Sequence, residues 1–190
     1  MGLVYGFVSM ARNVEIKARI NDLERMRRLV AELADRGPET LEQTDTFFPV
    51  QVGRLKLREF ADESAELIYY RRPDATEPTE SQYERAAIAD PNALRDLLTA
   101  ALGVCGQVVK HRLVYWVGRT RVHLDEVRDL GNFLELEVVL DDTEPSDVGV
   151  AEARRLMSAF GIHEDALVAG AYVDQLDEAS DPGQDALSRR

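Results

Sequence analysis

Residues 130–137 read Leu130-Gly131-Asn132-Phe133-Leu134-Glu135-Leu136-Glu137, and the fold prediction rests on this stretch. Glu135 and Glu137 alternate with the apolar residues Leu134, Leu136 and Val138. Side chains at positions i and i+2 lie on the same face of a β-strand. The pattern therefore predicts a strand over residues 132–140, with two carboxylates on one face and apolar side chains on the other.

The same alternation of apolar and charged residues recurs in other segments, where most of the paired charges have the same sign. The charged members are Glu15, Lys17 and Arg19; Lys56 and Arg58; Lys110 and Arg112; and Arg121, His123 and Asp125. Rows of Lys and Arg beside a cluster of carboxylates are suited to a polyphosphate and the metal ions that accompany it.

Turn-prone and helix-capping residues divide the chain into eight predicted strands and four predicted helices. The strands are expected near residues 13–20, 43–50, 54–61, 66–73, 81–89, 106–117, 120–127 and 132–140. The helices are expected from Asn21 to Gly37-Pro38, from Asp90 to Gly103, from Ser146 or Asp147 to Phe160, and near 165–176. Short links between strands favour antiparallel pairing, so the predicted fold class is α+β.

Two architectures are compatible with this sheet. In one, an antiparallel sheet turns its charged face to solvent and packs its apolar face against the helices. In the other, the sheet closes into a barrel, the helices cover its apolar outside, and the charged residues line the interior. A solvent face usually mixes charge signs, whereas these segments pair like charges, which is unfavourable on a sheet. Because such a lining suits a site occupied by an anion and cations, the repeated pattern favours the barrel.

Composition limits the size of the fold and the class of partner. The 190 residues and 45% hydrophobic content suit one domain with a substantial core. The net charge of −12 argues against a nucleic-acid-binding surface, which normally needs a basic footprint. No run is long enough for a membrane helix, and the first ten residues lack the basic start and cleavage site of a signal peptide. The single Cys105 excludes an internal disulfide, so the expected location is the cytoplasm.

Together these segments resemble the CYTH family, also called triphosphate tunnel metalloenzymes, which includes class IV adenylate cyclases and thiamine triphosphatases. The resemblance rests on Asn13 to Lys17 for the family's E-x-E-x-K strand, Gly53 to Glu59, Ile68 to Pro73, Lys110 to Arg112, Arg121 to Asp125, and Leu130 to Glu137. The last segment is the most specific and is closest to the class IV adenylate cyclase branch. Asn13 replaces the first glutamate of the signature, which leaves the number of bound metals open.

The resemblance implies an eight-stranded antiparallel tunnel with helices packed on its outside. The expected triphosphate-binding domain covers residues 12–176, between a flexible lead-in over 1–11 and a polar, disordered tail over 177–190. The implied ligands are a nucleoside triphosphate or another polyphosphate, with Mg²⁺ or Mn²⁺. Members of the family often form dimers, so a homodimer is a further expectation, whereas nucleic acid and membrane are not expected as partners.

The resemblance also implies roles for the charged residues. Lys17 is the expected catalytic residue, which binds phosphate or positions a nucleophile. Asp125 is expected as a metal ligand or as a group that orients a basic residue, and in segment 68–73 the basic role is assigned to Arg71 over the alternative Arg72. The full expected metal ligands are Glu15, Glu135, Glu137 and Asp125, and the expected phosphate contacts are Lys56, Arg58, Arg71, Lys110, Arg112 and Arg121. His123 shares the parity of Arg121, and a structural hydrogen-bonding role is expected for it.

These assignments predict a metal-dependent enzyme most like a class IV adenylate cyclase, which converts ATP to cyclic AMP and pyrophosphate. Hydrolysis of tripolyphosphate or thiamine triphosphate is the alternative reaction at the same site. A third interpretation is a non-catalytic module that binds a nucleotide or polyphosphate, and Asn13 is its main support.

Overall fold

Eight strands and four α-helices make up most of residues 11–180, the part of the chain that the computed structural model describes. The strands are β1 (Ala11–Arg19), β2 (Arg36–Phe48), β3 (Arg54–Phe60), β4 (Ala65–Arg71), β5 (Thr79–Ala87), β6 (Gly106–Val117), β7 (Thr120–Val127) and β8 (Gly131–Leu140). The helices are α1 (Leu23–Leu33), α2 (Pro91–Leu102), α3 (Ser146–Phe160) and α4 (Tyr172–Ser180), with a 3-10 turn at Glu164–Ala166. Within residues 11–180, none of the helices combines the length and apolarity needed to cross a membrane.

The eight strands close into a barrel in the order β1-β5-β4-β3-β2-β6-β7-β8, and every neighbouring pair is antiparallel. Pairing of β1 with β8 closes the ring, with Glu15 opposite Glu137 and Lys17 opposite Glu135. The predicted eight-stranded antiparallel barrel is confirmed, and the open sheet with a solvent-facing charged surface is excluded. The closed order also places β2 and β3 across the barrel from β1 and β8.

The core lies outside the barrel, between the strands and the helices. The apolar members of the alternating segments point outward and are buried against α1 and α3. Removing a Leu or Phe side chain of this kind from water contributes about 1.5–3 kcal/mol to folding. The largest cluster includes Ile16, Ala18, Val122, Leu124, Leu134 and Leu136 from the strands, and Met26, Val30, Leu156, Met157 and Phe160 from the helices.

The first predicted helix is shorter than expected, and the strand after it is longer. Helix α1 ends at Leu33, and Gly37-Pro38 lies inside β2 instead of ending the helix. Gly37 has a φ of 109°, and a Cβ atom there would lie 2.6 Å from the carbonyl oxygen of Val114 on β6. The close approach of the two strands therefore requires a glycine at this position. In the sequence alone, Gly37-Pro38 resembles an ordinary helix stop.

The C-terminal helix begins later and extends further than predicted. Helix α4 covers Tyr172–Ser180 and so passes the predicted domain boundary at residue 176. It packs against the start of β6, where a Cβ atom on Gly106 would lie 2.6 Å from Val173. At the other end, Ala11 already belongs to β1. The rest of the predicted lead-in and tail, residues 1–10 and 181–190, lies outside the described residues.

Candidate active site

Side chains from all eight strands point into the barrel and line a cavity of about 390 Å³. This volume falls within the range of about 300–1,000 Å³ that is typical of small-molecule sites. Along β1 the inward residues are Asn13, Glu15 and Lys17, and the other strands alternate in the same way. Except for Arg19 and Asp125, the charged members of the alternating segments thus line one shared interior, as the barrel prediction required.

One end of this tunnel is closed by Phe133, Ala171 and Tyr172, which we call the floor. The rings of Phe133 and Tyr172 meet edge to face with centroids 4.9 Å apart. Lys17 lies against the floor, where its Nζ donates a hydrogen bond to the Gly170 carbonyl at 2.9 Å and lies 3.9 Å from the centroid of the Tyr172 ring. Burial lowers the pKa of Lys17 to about 8. Lys17 is therefore a fixed, buried amine at the closed end.

The opposite end, which we call the mouth, is lined by the half-buried side chains Leu41, Phe60, Tyr83 and Trp116. Strand direction explains their position. Val108, early in β6, packs with the floor, and Trp116 lies near the end of the same strand. The mouth thus combines these apolar and aromatic side chains with the charged residues Glu39, Glu66 and Arg85, which line the same end.

A buried aspartate organises the cations on one wall. Asp45 of β2 is 1% exposed. Its carboxylate accepts hydrogen bonds from Arg58 at 2.7 and 2.8 Å, and from Lys56 at 3.0 Å and Lys110 at 3.3 Å. Burial acts to raise the pKa of Asp45, but Arg58, Lys110 and Lys56 outweigh it and hold the pKa well below its ordinary value. Three of the predicted phosphate contacts therefore converge on one buried anion.

Burial and the neighbouring positive charges lower the pKa of the two lysines on this wall. Burial, followed by the positive charge of Arg58, lowers the pKa of Lys56 to about 7, against the opposing effect of Asp45. Burial and the charge of Arg112 lower the pKa of Lys110. Positive charge is thus concentrated here beyond what the local carboxylate neutralises, which is the electrostatic condition for binding an anion.

Two carboxylates of β8 face this wall from across the tunnel. Glu135 Oε2 lies 2.5 Å from Arg112, and its Oε1 lies 3.8 Å from Lys17 Nζ. Glu137 Oε2 lies 2.7 Å from Arg121. Burial favours the protonated form of both, but neighbouring positive charges outweigh it, so the pKa of Glu135 is well below its ordinary value and the pKa of Glu137 is about 2. Both groups are therefore anionic near neutral pH.

Arg72 lies inside the tunnel, whereas Arg71, the predicted phosphate contact, is not among the residues that line it. Arg72 Nη1 lies 3.4 Å from Glu15 Oε2, and its Nη2 donates a hydrogen bond to the Gly170 carbonyl at 2.7 Å. Arg71 is exposed. Tyr70 and Arg72 share the inward parity, so Arg71 necessarily faces outward. Burial raises the pKa of Glu15, while Arg72 opposes that effect.

Asp125 orients a basic residue, which is the second of its two predicted roles, and it is not among the residues that line the cavity. It is fully buried and accepts hydrogen bonds from Arg112 through both oxygens, at 2.6 and 2.5 Å. The hydroxyl of Tyr172 donates a third, at 3.0 Å. Paired charges with this geometry fix a guanidinium plane, so Asp125 holds Arg112 toward Glu135.

His123 projects into the tunnel between the two β8 carboxylates. Its Nδ1 lies 3.7 Å from Glu135 Oε2 and 3.7 Å from Glu137 Oε1, which is beyond hydrogen-bonding distance. Among the described residues this buried nitrogen has no hydrogen-bond partner, and neither does Oδ1 of Asn13, which also faces the cavity. The structural hydrogen bond that the sequence predicted for His123 is therefore not made by Nδ1.

The family model of the CYTH domain matches residues 11–172. The chain belongs to the CYTH domain family. The match covers all eight strands, so the resemblance drawn from the alternating segments is confirmed.

Several solved structures have the same fold as this CYTH protein. The PH1012 protein of Pyrococcus horikoshii OT3 has a TM-score of 0.77 and 23% identity, covering 85% of this chain and 98% of that one. A candidate adenylate cyclase from Vibrio parahaemolyticus has a TM-score of 0.72 and 19% identity, covering 87% and 97%. An adenylyl cyclase candidate from Hippeastrum with a dominant triphosphatase activity has a TM-score of 0.61 and 20% identity, covering 88% and 96%. At these identities the likeness establishes the fold alone. No curated protein matches the sequence.

CYTH proteins are generally metal-dependent, and the donors in this tunnel fit a divalent cation. Glu135, Glu137 and His123 each offer one ligand atom, and these atoms all lie within 4.8 Å of one another. Glu15 faces the same cavity, in register with Glu137. Carboxylate oxygens are the preferred protein ligands of Mg²⁺ and Mn²⁺, so the chemistry of the donor set agrees with the expected cofactor.

Sequence reasoning missed Asp45 and Tyr172 as parts of this site, and it named Arg72 only as the alternative to Arg71. Asp45 lies between Thr44 and Thr46 in a segment that shows no paired charges, although its alternation with Phe47 would have placed both on one face. Tyr172 reaches the tunnel from a helix outside the barrel, and no periodic pattern in the sequence signals such a contact.

Proposed function

We propose that this protein is a divalent-metal-dependent enzyme that binds a triphosphate lengthwise in the tunnel, and that its reaction is that of a class IV adenylate cyclase. The observation that carries the proposal is the opposition of two walls. Lys56 and Arg58 face the cavity from β3, across the barrel from Glu135 and Glu137 on β8. A triphosphate needs cations around its oxygens, and the metal ions that accompany it need carboxylates.

The closed floor supports one orientation of the substrate. Phe133 and Tyr172 block that end, so the phosphate chain enters first and its terminal phosphate lies nearest Lys17 and Arg72. An organic group then remains at the mouth, beside Trp116. The aromatic side chains at the mouth support a nucleotide as substrate over an inorganic polyphosphate.

In the proposed reaction the ribose 3′-hydroxyl of ATP gives up its proton to water and its oxygen bonds to the α-phosphorus, while the bond between the α-phosphorus and the oxygen bridging to the β-phosphorus breaks and pyrophosphate leaves with that oxygen. Lys56, Arg58 and Lys110 neutralise the phosphate oxygens, and the bidentate pair with Asp125 aims Arg112 at the same space. Glu15, Glu135 and Glu137 are the proposed ligands of a divalent metal, which when bound offsets phosphate charge and lowers the pKa of a coordinated hydroxyl.

Hydrolysis of a triphosphate is the second candidate, and the position of Lys17 favours it. Lys17 lies at the floor, where the terminal phosphate of a bound chain would lie, and Gly170 fixes its amine there. Attack of water on the terminal phosphorus would release orthophosphate, and a fixed cation beside that phosphate stabilises the charge that develops. The substrates for this reaction are tripolyphosphate or thiamine triphosphate.

The test is to incubate the protein with ATP, tripolyphosphate and thiamine triphosphate, each with Mg²⁺ or Mn²⁺, and to resolve the products by chromatography. Cyclic AMP with pyrophosphate is the expected result. Orthophosphate without cyclic AMP would replace the cyclase by the hydrolase. No metal-dependent product from any substrate would overturn both, and retained metal-free binding of tripolyphosphate would then identify a binding module.

A further inference from the structure

His123 lies beside Glu135 and Glu137, the two β8 carboxylates that are proposed as metal ligands. It belongs to β7 and pairs in register with Glu135 on β8. Its Nδ1 is equidistant, at 3.7 Å, from one oxygen of Glu135 and one oxygen of Glu137. An imidazole nitrogen between two carboxylates, too far from either for a hydrogen bond, leaves a space that a cation could share with all three.

The Nδ1 atom of His123 also lacks the partner that burial normally demands. The residue is 4% exposed, and within residues 11–180 this nitrogen makes no hydrogen bond. Buried polar atoms are almost always paired, because an unpaired one costs about 1–3 kcal/mol. A structural role would have left Nδ1 bonded to a fixed neighbour. A metal ion in the space between the carboxylates would satisfy it.

Each of the two carboxylates is already held by an arginine. Arg121 binds Oε2 of Glu137, and the oxygen that faces His123 is the other one, Oε1. Arg112 binds Oε2 of Glu135, the same oxygen that faces His123, and is itself fixed by Asp125. Groups held in this way by outer partners are pre-oriented as metal ligands, because little ordering remains to be done when the ion binds.

We propose that His123 is a ligand of the tunnel metal together with Glu135 and Glu137, and that this nitrogen donor makes the site prefer Mn²⁺ or Co²⁺ over Mg²⁺. The inference rests on the proposed function only for the presence of a metal. Imidazole suits transition metals, whereas Mg²⁺ takes oxygen ligands almost exclusively. The donor set therefore predicts which ion is used, in addition to where it binds.

The test is pulsed electron paramagnetic resonance of the Mn²⁺-loaded protein, with Mg²⁺ as competitor. The expected spectrum shows coupling of Mn²⁺ to an imidazole ¹⁴N nucleus, and Mn²⁺ is expected to bind on the order of 10-fold more tightly than Mg²⁺. In His123→Gln, which substitutes an amide oxygen donor, the coupling disappears and the preference for Mn²⁺ falls. His111→Gln is the matched control, because the half-buried His111 lies beside Glu126 and does not line the tunnel.

A second variant keeps the test decisive if His123→Gln does not fold. The chain has three histidines, so replacing His111 and His163, neither of which lines the tunnel, leaves His123 alone. The imidazole coupling is expected to persist in that double variant. Bound Mn²⁺ without imidazole coupling, or coupling that survives in folded His123→Gln, would overturn the inference. Coupling without turnover would leave the histidine ligand in place and overturn the proposed enzyme instead.

Discussion

Asp45 binds Arg58 through both carboxylate oxygens, at 2.7 and 2.8 Å, inside a tunnel whose chemistry is suited to an anionic ligand. Lys56 and Lys110 bind the same carboxylate. A buried anion thus holds three cations in place before any phosphate arrives. The arrangement resolves a difficulty in the sequence pattern, since rows of like charge would otherwise repel one another in an empty barrel.

Asp45→Asn is expected to destabilise the ligand-free protein and to increase its stabilisation by ligand. Removing the charge leaves three buried cations without their shared partner, which costs about 3–5 kcal/mol for a buried ion pair. Tripolyphosphate can supply the missing negative charge, so it should raise the melting temperature of the variant more than that of the wild type. Thermal unfolding with and without tripolyphosphate, in the absence of metal, measures both effects.

Glu126→Gln is the control for that substitution. Glu126 lies on the outer face of β7 with its side chain 56% exposed, so the variant changes the net charge equally without entering the tunnel. Its stability and its response to tripolyphosphate should match the wild type. An equal rise in melting temperature on adding tripolyphosphate to wild type and to Asp45→Asn would show that phosphate does not replace the negative charge of Asp45.

Binding of tripolyphosphate at pH 8 is expected to take up protons, because the pKa of Lys56 is about 7 in the ligand-free protein. In the unfolded chain the pKa of a lysine is near 10.4, so between about pH 7 and 10.4 the unfolded chain holds a proton on Lys56 that the folded protein lacks. The contribution of Lys56 to the free energy of unfolding therefore rises with pH in this range. A bound anion favours the charged amine and so raises the pKa of Lys56 in the complex. The affinity should therefore fall as the pH rises above 7.

Calorimetric titration in two buffers of different ionisation enthalpy measures this proton uptake. The expected value at pH 8 is about one proton from Lys56, with a further contribution from Lys110, whose pKa is also lowered. Lys56→Arg keeps the positive charge at all relevant pH values, so its uptake should be smaller. Equal uptake in the two proteins would mean that Lys56 is already protonated in the empty tunnel.

The fold could be predicted from the sequence because strand parity is a local property. Glu135 and Glu137 alternate with Leu134 and Leu136, and this alternation alone fixes which side chains share a face. The first strand also carries charged residues on one face, Glu15 and Lys17, and apolar residues on the other. Pairing β1 with β8 places both charged faces inside the barrel and closes it. Local patterns determine what faces inward, and the closure of the sheet turns those faces into one cavity.

The site was less predictable because part of it depends on contacts between distant segments. The parity of β4 is set by Tyr70 and Arg72 facing the tunnel, and two adjacent arginines gave no local means of choosing between them. Asp125 has inward parity, yet Arg112 and Tyr172 occupy its oxygens, and Tyr172 comes from a helix outside the barrel. Parity predicts which face a side chain is on, but not which partner it binds there.

Arg71 and Arg72 provide a matched pair for testing the tunnel assignment. Arg72→Ala removes a buried cation that lies 3.4 Å from Glu15, whereas Arg71→Ala removes an exposed one. Metal-free binding of tripolyphosphate should weaken by about 10-fold or more in Arg72→Ala, since a charge-assisted hydrogen bond contributes about 1.5–3 kcal/mol. Arg71→Ala should bind as the wild type does. Equal weakening in both variants, measured by calorimetry, would place the ligand outside the tunnel.

The double variant Glu135→Gln, Glu137→Gln is expected to separate turnover from anion binding. Both carboxylates are proposed metal ligands, so metal-dependent product formation should fall by about 100-fold or more. Metal-free affinity for tripolyphosphate should be kept or increased, because Arg112 and Arg121 lose the anions that now neutralise them. Product chromatography and calorimetry in the presence of a chelator measure the two quantities, with Glu126→Gln as control. Loss of binding in parallel with loss of turnover would indicate that the two carboxylates hold the tunnel together, whereas unchanged turnover would remove them from the metal site.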